Sequence, residues 1–192
     1  MPLYNDVMVD IETTGLNVDH SAIIQITAVS FDLVRREVDH GFFDQCLEVP
    51  PTRFWDEGTR NWWLTMPDTL GGIYQRMRDP ATVMRDFFDW CGGSNCGLTF
   101  WAKPLSFDFP FLGSYFREFG PCMPFDFRRA KDMRSFLAGL AYPAAAFNDM
   151  SVPFEGEKHN ALFDTLHQIK CLFEGTKDLP PRMEILPPCT PT

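Results

Sequence analysis

The stretch Val7-Met8-Val9-Asp10-Ile11-Glu12-Thr13-Thr14-Gly15-Leu16 constrains this chain more than any other. Its apolar start reads as a buried strand, and Thr-Thr-Gly reads as the turn that ends it. Side chains at i and i+2 of a strand share a face, so Asp10 and Glu12 point the same way. Two carboxylates that close repel unless they are protonated or bridged by a cation. A strand running out into a polar turn would also account for a bare Asp-x-Glu, so the remaining chain has to decide.

The pattern downstream is that of a mixed α/β domain. Ala22–Asp32 is rich in β-branched residues and reads as a second strand, residues 33–39 as a charged turn, and 40–49 as a third strand. Short links between these three imply an antiparallel meander. Helices are expected over 56–66, after Pro67-Asp68, and from Pro80 to Trp90. Leu98–Trp101 reads as a fourth strand, Ser106–Phe119 as an amphipathic helix with Ser106 as its N-cap, and Phe125–Phe127 as a fifth strand. A helix near 132–140, an irregular segment over 141–157 and a helix over 160–174 complete the domain. The expected fold is therefore a five-stranded mixed sheet, an antiparallel meander plus parallel strands, flanked by helices. Asp10 would lie at the end of a central strand, where such sheets place ligands. Residues 1–176 form one domain in this reading, and 177–192 a Pro-rich tail, a partly ordered strap whose prolines prevent regular structure.

Composition narrows the function. Apolar residues make up 45% of the 192, with 19 Phe and 5 Trp, ample for a single core. No apolar run is long enough to span a bilayer, and no basic-then-apolar leader opens the sequence, so a soluble cytoplasmic protein is expected. Six scattered cysteines include Cys91 and Cys96, with no second Cys or His pair to complete a zinc site. A net charge of −9 argues against electrostatic grip on long duplex DNA, although an acidic metal site would contribute to that number. The basic run Arg128-Arg129-Ala130-Lys131-Asp132-Met133-Arg134 reads most simply as a solvated face.

Two further acidic positions stand out. Asp108, in Ser106-Phe107-Asp108, falls in the first turn of a helix directly after a strand, where it also complements the helix dipole. Asp164 lies in a helix among Leu162, Phe163 and Leu166, five residues after His159. A carboxylate near an apolar face needs a partner, and a metal is one.

Together these motifs resemble the DnaQ-like 3′→5′ exonucleases of the DEDDh group, which includes RNase T, oligoribonuclease and polymerase proofreading subunits. Asp10-Ile11-Glu12-Thr13-Thr14-Gly15 is similar to the first motif, Ser106-Phe107-Asp108 with Phe111-Leu112 to the second, and His159 with Asp164 to the third. They occur in the family's order and span about residues 7–170. Glu155–Leu162 and Trp62-Trp63-Leu64 are similar to a small branch found in phages and mycobacteria.

The resemblance implies an RNase H-like fold and a metal-dependent 3′→5′ exonuclease that releases nucleoside 5′-monophosphates from single-stranded RNA or DNA. It implies two divalent cations, Mg²⁺ or Mn²⁺, for which hard carboxylate oxygens are suited ligands. Asp10 would bridge both ions, Glu12 and Asp164 would hold the one that activates water, and Asp108 would help position the other. His159 would act as general base, since an imidazole titrates near working pH. Thr13 and Thr14 would donate to the 3′-terminal nucleotide, Leu16 would wedge against the terminal bases, and Trp63 and Phe107 would stack on them. Trp62 and Trp101 are further candidates for stacking, although adjacent helical residues face different ways, so one of Trp62 and Trp63 is expected to be buried and the other exposed. Family members are often homodimers, and that expectation extends to this chain. Many relatives carry Gly-Asn before the second-motif Asp, where this chain has Ala102-Lys103-Pro104. Lys103 would there replace an amide with a charge aimed at phosphate. The contrasting reading is a non-catalytic binding module that retains the fold, against which stands the complete set of five acidic and imidazole side chains.

Overall fold

The computed structural model describes residues 1–94, 96–141 and 152–179. The first half builds most of the sheet. Strand β1 (Asp6–Thr13) is followed by β2 (Ile23–Asp32), the short β3 (Glu37–Val38) and β4 (Phe43–Leu47). Helices α1 (Glu57–Trp63) and α2 (Pro67–Gln75) lead to β5 (Met77–Arg78) and α3 (Pro80–Cys91). Then come β6 (Thr99–Ala102), α4 (Leu105–Glu118), a 3₁₀ turn at Phe127–Arg129, β7 (Ala130–Asp132), α5 (Met133–Ala141) and α6 (Ala161–Gly175).

The strands form one seven-stranded mixed sheet in the order β5-β4-β2-β1-β6-β7, with β3 paired to β2. β1, β2 and β4 make the expected antiparallel meander, and β6 and β7 continue parallel to β1. Five strands were expected; the two extra ones, β3 and β5, have two residues each and leave no periodicity to read. The fifth expected strand is displaced. Phe125 is a core residue packed edge-on against Phe100, and the strand that pairs with β6 is the charged Ala130–Asp132. The expected third strand shortens to Phe43–Leu47. Residues 180–192 of the expected strap at 177–192, and most of the irregular segment at 141–157, lie outside the described residues.

β1 is covered on both faces, which explains its unbroken apolar run. Val7, Val9 and Ile11 pack with Val83, Met84 and Phe87 of α3 and with Phe111, Leu112 and Tyr115 of α4. Met8 points the other way, into a cluster with Met133 and Leu137 of α5 and with Ile169 and Leu172 of α6. Strand alternation therefore aims Asp10 and Glu12 at the α6 side of the sheet. A third cluster seats α1 and α2 on β2 and β4 through Ile24, Cys46, Trp63, Leu70 and Ile73.

Two local arrangements prepare the site. β6 pairs with β1 only from Asp6 to Met8, so beyond that point the β1 backbone has an open edge. The α4 N-terminus fills it. Ser106 does not cap that helix, because it lies inside α4, whose cap position is Pro104. Asp132 of β7 serves instead, accepting from Leu105 N at 2.8 Å and from Ser135 N at 2.7 Å, and so holds the starts of both α4 and α5.

Candidate active site

Asp10, Glu12, Asp108, His159 and Asp164 line one pocket of about 360 Å³, together with Lys103, Phe107, Arg134 and Gln168. Three separate segments bring the carboxylates together. Asp10 and Glu12 come from β1. Asp108 arrives from the first turns of α4 and accepts from Ile11 N at 3.2 Å, so it occupies the hydrogen-bonding place that β6 leaves vacant. Asp164 comes from α6, as does Gln168 one turn later, whose Nε2 donates to Asp10 Oδ1 at 2.8 Å.

His159 is presented by a strained turn. Its φ of +62° is in the left-handed region, which a residue with a β-carbon adopts only when its surroundings enforce it. The preceding segment is fixed to the domain. Glu157 accepts from the Thr69 hydroxyl of α2, and Gly156, at φ +102°, lies so close to Phe163 that a β-carbon there would sit 2.2 Å from the ring. The His159 ring meets Trp62 edge-on, with centroids 4.8 Å apart. Ligand atoms of Glu12, His159 and Asp164 all fall within 4.8 Å of one another.

Electrostatics mark this pocket as short of positive charge. Burial pushes the Asp10 carboxyl up to about 7, reinforced by Asp164 and opposed by the Gln168 hydrogen bond and by Lys103. Burial also raises Glu12 well above the usual carboxylate range, with Asp10, Asp164 and Asp108 adding to it. Asp108 is raised by burial and by Asp10 in spite of the Ile11 N–H. Asp164 is raised by burial, with His159 pulling the other way. Four oxygen-bearing side chains that resist ionising next to one another form a donor set fitted to hard divalent cations, whose charge would relieve that repulsion.

A second cleft of about 490 Å³ continues from the first across Ile11, Glu12 and Phe107. Its walls include Leu16, 81% exposed, and Trp62, 42% exposed. Of the residues expected to meet substrate, Thr13, Leu16, Trp63 and Phe107 border this cleft and Lys103 borders the carboxylate pocket.

Full burial corrects two of the expected contacts, stacking by Trp63 and donation by Thr14. Trp63 is fully buried and its indole N–H donates to Thr13 O at 3.0 Å, so it supports the turn after β1 and offers no stacking face. Trp62 is the exposed member of the pair, and Trp101, whose indole N–H donates to Asp6, is fully buried and offers no stacking face either. Thr14 is also fully buried. Its hydroxyl donates to Phe54 O at 2.6 Å and accepts from Ala22 N at 2.7 Å. The Thr13 hydroxyl donates to Gly15 O at 2.8 Å. Both hydroxyls therefore hold the turn together. Sequence reasoning missed Gln168, whose i+4 spacing from Asp164 placed it on the same helical face, and Arg134, hidden in a run read as solvated.

The fold is one that solved exonucleases share. The chain is similar in structure to apo exonuclease I (TM-score 0.66, 11% identity, 90% of this chain and 42% of that one). It is also similar to E. coli exonuclease I in complex with a 5cy-dA13 oligonucleotide (TM-score 0.65, 12% identity, 88% and 40%). S. pombe Pop2p in its Mg²⁺- and Mn²⁺-bound form gives a TM-score of 0.64 at 17% identity over 92% of this chain and 84% of that one. The chain thus spans about two fifths of the length of exonuclease I. No curated protein matches it in sequence. It belongs to the Rv2179c-like 3′–5′ exoribonuclease domain family, whose model matches residues 5–175.

Proposed function

We propose that this protein is a metal-dependent 3′→5′ exonuclease of the DEDDh type, hydrolysing single-stranded nucleic acid to nucleoside 5′-monophosphates. The observation that carries the reading is the convergence of Asp10, Glu12, Asp108 and Asp164 on one pocket that His159 borders. The four carboxylates would hold two divalent cations, Mg²⁺ or Mn²⁺. Such ions, when bound, polarise a phosphoryl group and lower the pKa of water.

The chain's own residues supply the remainder. Gln168 fixes the orientation of Asp10, and the Ile11 N–H fixes that of Asp108. His159, at the pocket mouth and braced by Trp62, takes the proton from the attacking water at its imidazole nitrogen. Leu16, Trp62 and Phe107 receive the 3′-terminal nucleoside in the adjoining cleft, which aligns the last phosphodiester with the carboxylates. Lys103 offers a charge to the phosphate.

The test uses 5′-labelled single-stranded RNA and DNA with Mg²⁺, Mn²⁺ or EDTA, beside Asp10→Ala. A ladder shortening from the 3′ end, lost with EDTA and with the variant, supports the reading and identifies the preferred sugar. An uncut strand with either metal refutes it. A Lys103→Ala enzyme with unchanged KM would remove Lys103 from the substrate contacts.

A further inference from the structure

The two clefts give the pocket a direction. The aromatic cleft of Leu16 and Trp62 adjoins Glu12, and Arg134 borders the carboxylate pocket but not that cleft. With a 3′-terminal nucleoside among the aromatic residues, the rest of a strand leaves past Arg134. What lies beyond Arg134 is β7, which among the described residues is an edge strand paired with β6.

Along this edge the basic run becomes an ordered row. Arg134, near the start of α5, stands at pocket level. Lys131 pairs in register with Trp101, and its ammonium lies 4.7 Å from the centre of that indole ring. Arg129 is lower still, with Nη1 3.8 Å from the β-carbon position of Gly97, ahead of the start of β6. Between Arg129 at the end of the 3₁₀ turn and Arg134 in the first turn of α5 runs the three-residue strand β7, roughly 10 Å at a strand's rise. Arg129, Lys131 and Arg134 are exposed, and among the described residues none has a carboxylate within ion-pair distance. The nearby Asp132 carboxylate feels the charge of Arg134 and is committed to two backbone N–H groups. A row of exposed cations with no ion pair among the described residues is unusual on a chain of net charge −9, where carboxylates outnumber bases.

We propose that the β7 edge, through Arg129, Lys131 and Arg134, is the track for the phosphates on the 5′ side of the scissile bond, and that the substrate is a single strand several nucleotides long rather than a dinucleotide. The proposal rests on the nuclease reading of the carboxylate pocket and adds to it a substrate length class. A row of cations beside a catalytic pocket follows a single-strand backbone without reading its sequence. Lys131 is held in place by the Trp101 ring, which limits the side-chain freedom lost when phosphate binds. The acidic remainder of the surface repels nucleic acid and confines it to this path.

The test is binding by fluorescence anisotropy with 5′-fluorescein RNA about 3 and about 12 nucleotides long, across a salt series. An Asp10→Asn protein with Mg²⁺ prevents hydrolysis, and is compared with the same protein also carrying Arg129→Gln and Lys131→Gln. Both added substitutions are at exposed positions, and retained thermal unfolding checks the fold. The longer RNA should bind about tenfold more tightly than the shorter. The added substitutions should bring the two within about threefold and reduce the salt slope by about 1.4, the amount two single-strand phosphate contacts contribute. Equal binding of the two lengths, or a salt slope unchanged by the substitutions, overturns the track. Displacement of the longer RNA by polyglutamate of matched charge would reassign the edge to an acidic protein and also overturn it. Because binding is read without turnover, a wild-type protein that cuts nothing would end the exonuclease reading and leave the track to be judged separately.

Discussion

Gln25→Leu is expected to destabilise the protein and slow its chemistry, because Gln25, the cross-strand partner of Glu12, ties Asp44 to the start of α6. Gln25 is fully buried on β2. Its Nε2 donates to Asp44 Oδ1 at 2.8 Å and its Oε1 accepts from Ala161 N at 3.3 Å, at the first residue of α6. Asp44 keeps Arg76 at 2.6 Å after the change, so most of its charge stays satisfied. The Ala161 N–H, by contrast, is left buried with no acceptor, which costs about 1–3 kcal/mol. Losing a hydrogen bond to the Asp44 carboxylate adds about 1 kcal/mol, for a total of about 2–4 kcal/mol. For a chain of this size that lowers Tm by about 5–12 °C. The same loss frees the start of α6, which follows His159 directly and carries Asp164, so kcat should fall about tenfold with KM little changed. Urea unfolding and steady-state hydrolysis of a labelled oligomer measure the two effects. Gln25→Glu provides a control: it keeps an acceptor for Ala161 but sets a charge beside Asp44, so its defect should shrink on acidification. If Gln25→Leu stays within about 0.5 kcal/mol of wild type, the account of how α6 is anchored is wrong.

Three other outcomes follow from the same structure. Asp10 is raised to about 7, so the folded state holds protons that the unfolded state has released between about pH 4 and 7. Stability in EDTA should therefore fall as pH rises through that window, and Mg²⁺ or Mn²⁺ should restore it at pH 8; a Tm in EDTA that rises over the window contradicts this. Trp62→Ala should leave Tm within a few degrees and lower kcat by removing the brace on His159, whereas Trp63→Ala empties a buried site and should cost about 3–5 kcal/mol by urea unfolding. Gly156→Ala combines a positive φ with a 2.2 Å clash against Phe163, so it should cost about 1–3 kcal/mol and lower kcat by shifting His159, as unfolding and hydrolysis assays would show.

How far the sequence revealed the molecule depends on the kind of signal each part leaves. β1 and β2 were legible because a sheet covered on both faces demands long apolar runs. The shared face of Asp10 and Glu12 followed from strand alternation alone. β7 was not legible, because an edge strand needs only backbone pairing on one side and can carry Lys and Asp. The aromatic residues just before it looked more strand-like, yet Phe125 belongs to the core. The Trp62–Trp63 pair was read as one buried and one exposed, and the phase of a seven-residue helix decided which. Gln25 and Gln168 orient the site through neutral amides, which leave no charge pattern or motif to notice. The motif position of Thr14 suggests substrate, yet the side chain is fully buried and its hydroxyl closes the loop that β1 runs into, while Thr13 closes the same loop from the cleft wall.

The most direct test of the central claim is a calorimetric titration of Mn²⁺ into the wild-type protein, with Asp10→Ala and Asp164→Asn alongside. The account predicts about two ions per chain for the wild type, and loss of at least one in each variant. Binding should release protons near neutral pH, because Asp10 titrates at about 7 without metal. A wild type that takes up no Mn²⁺, or variants that bind it as the wild type does, would contradict the assignment of these four carboxylates as the metal centre.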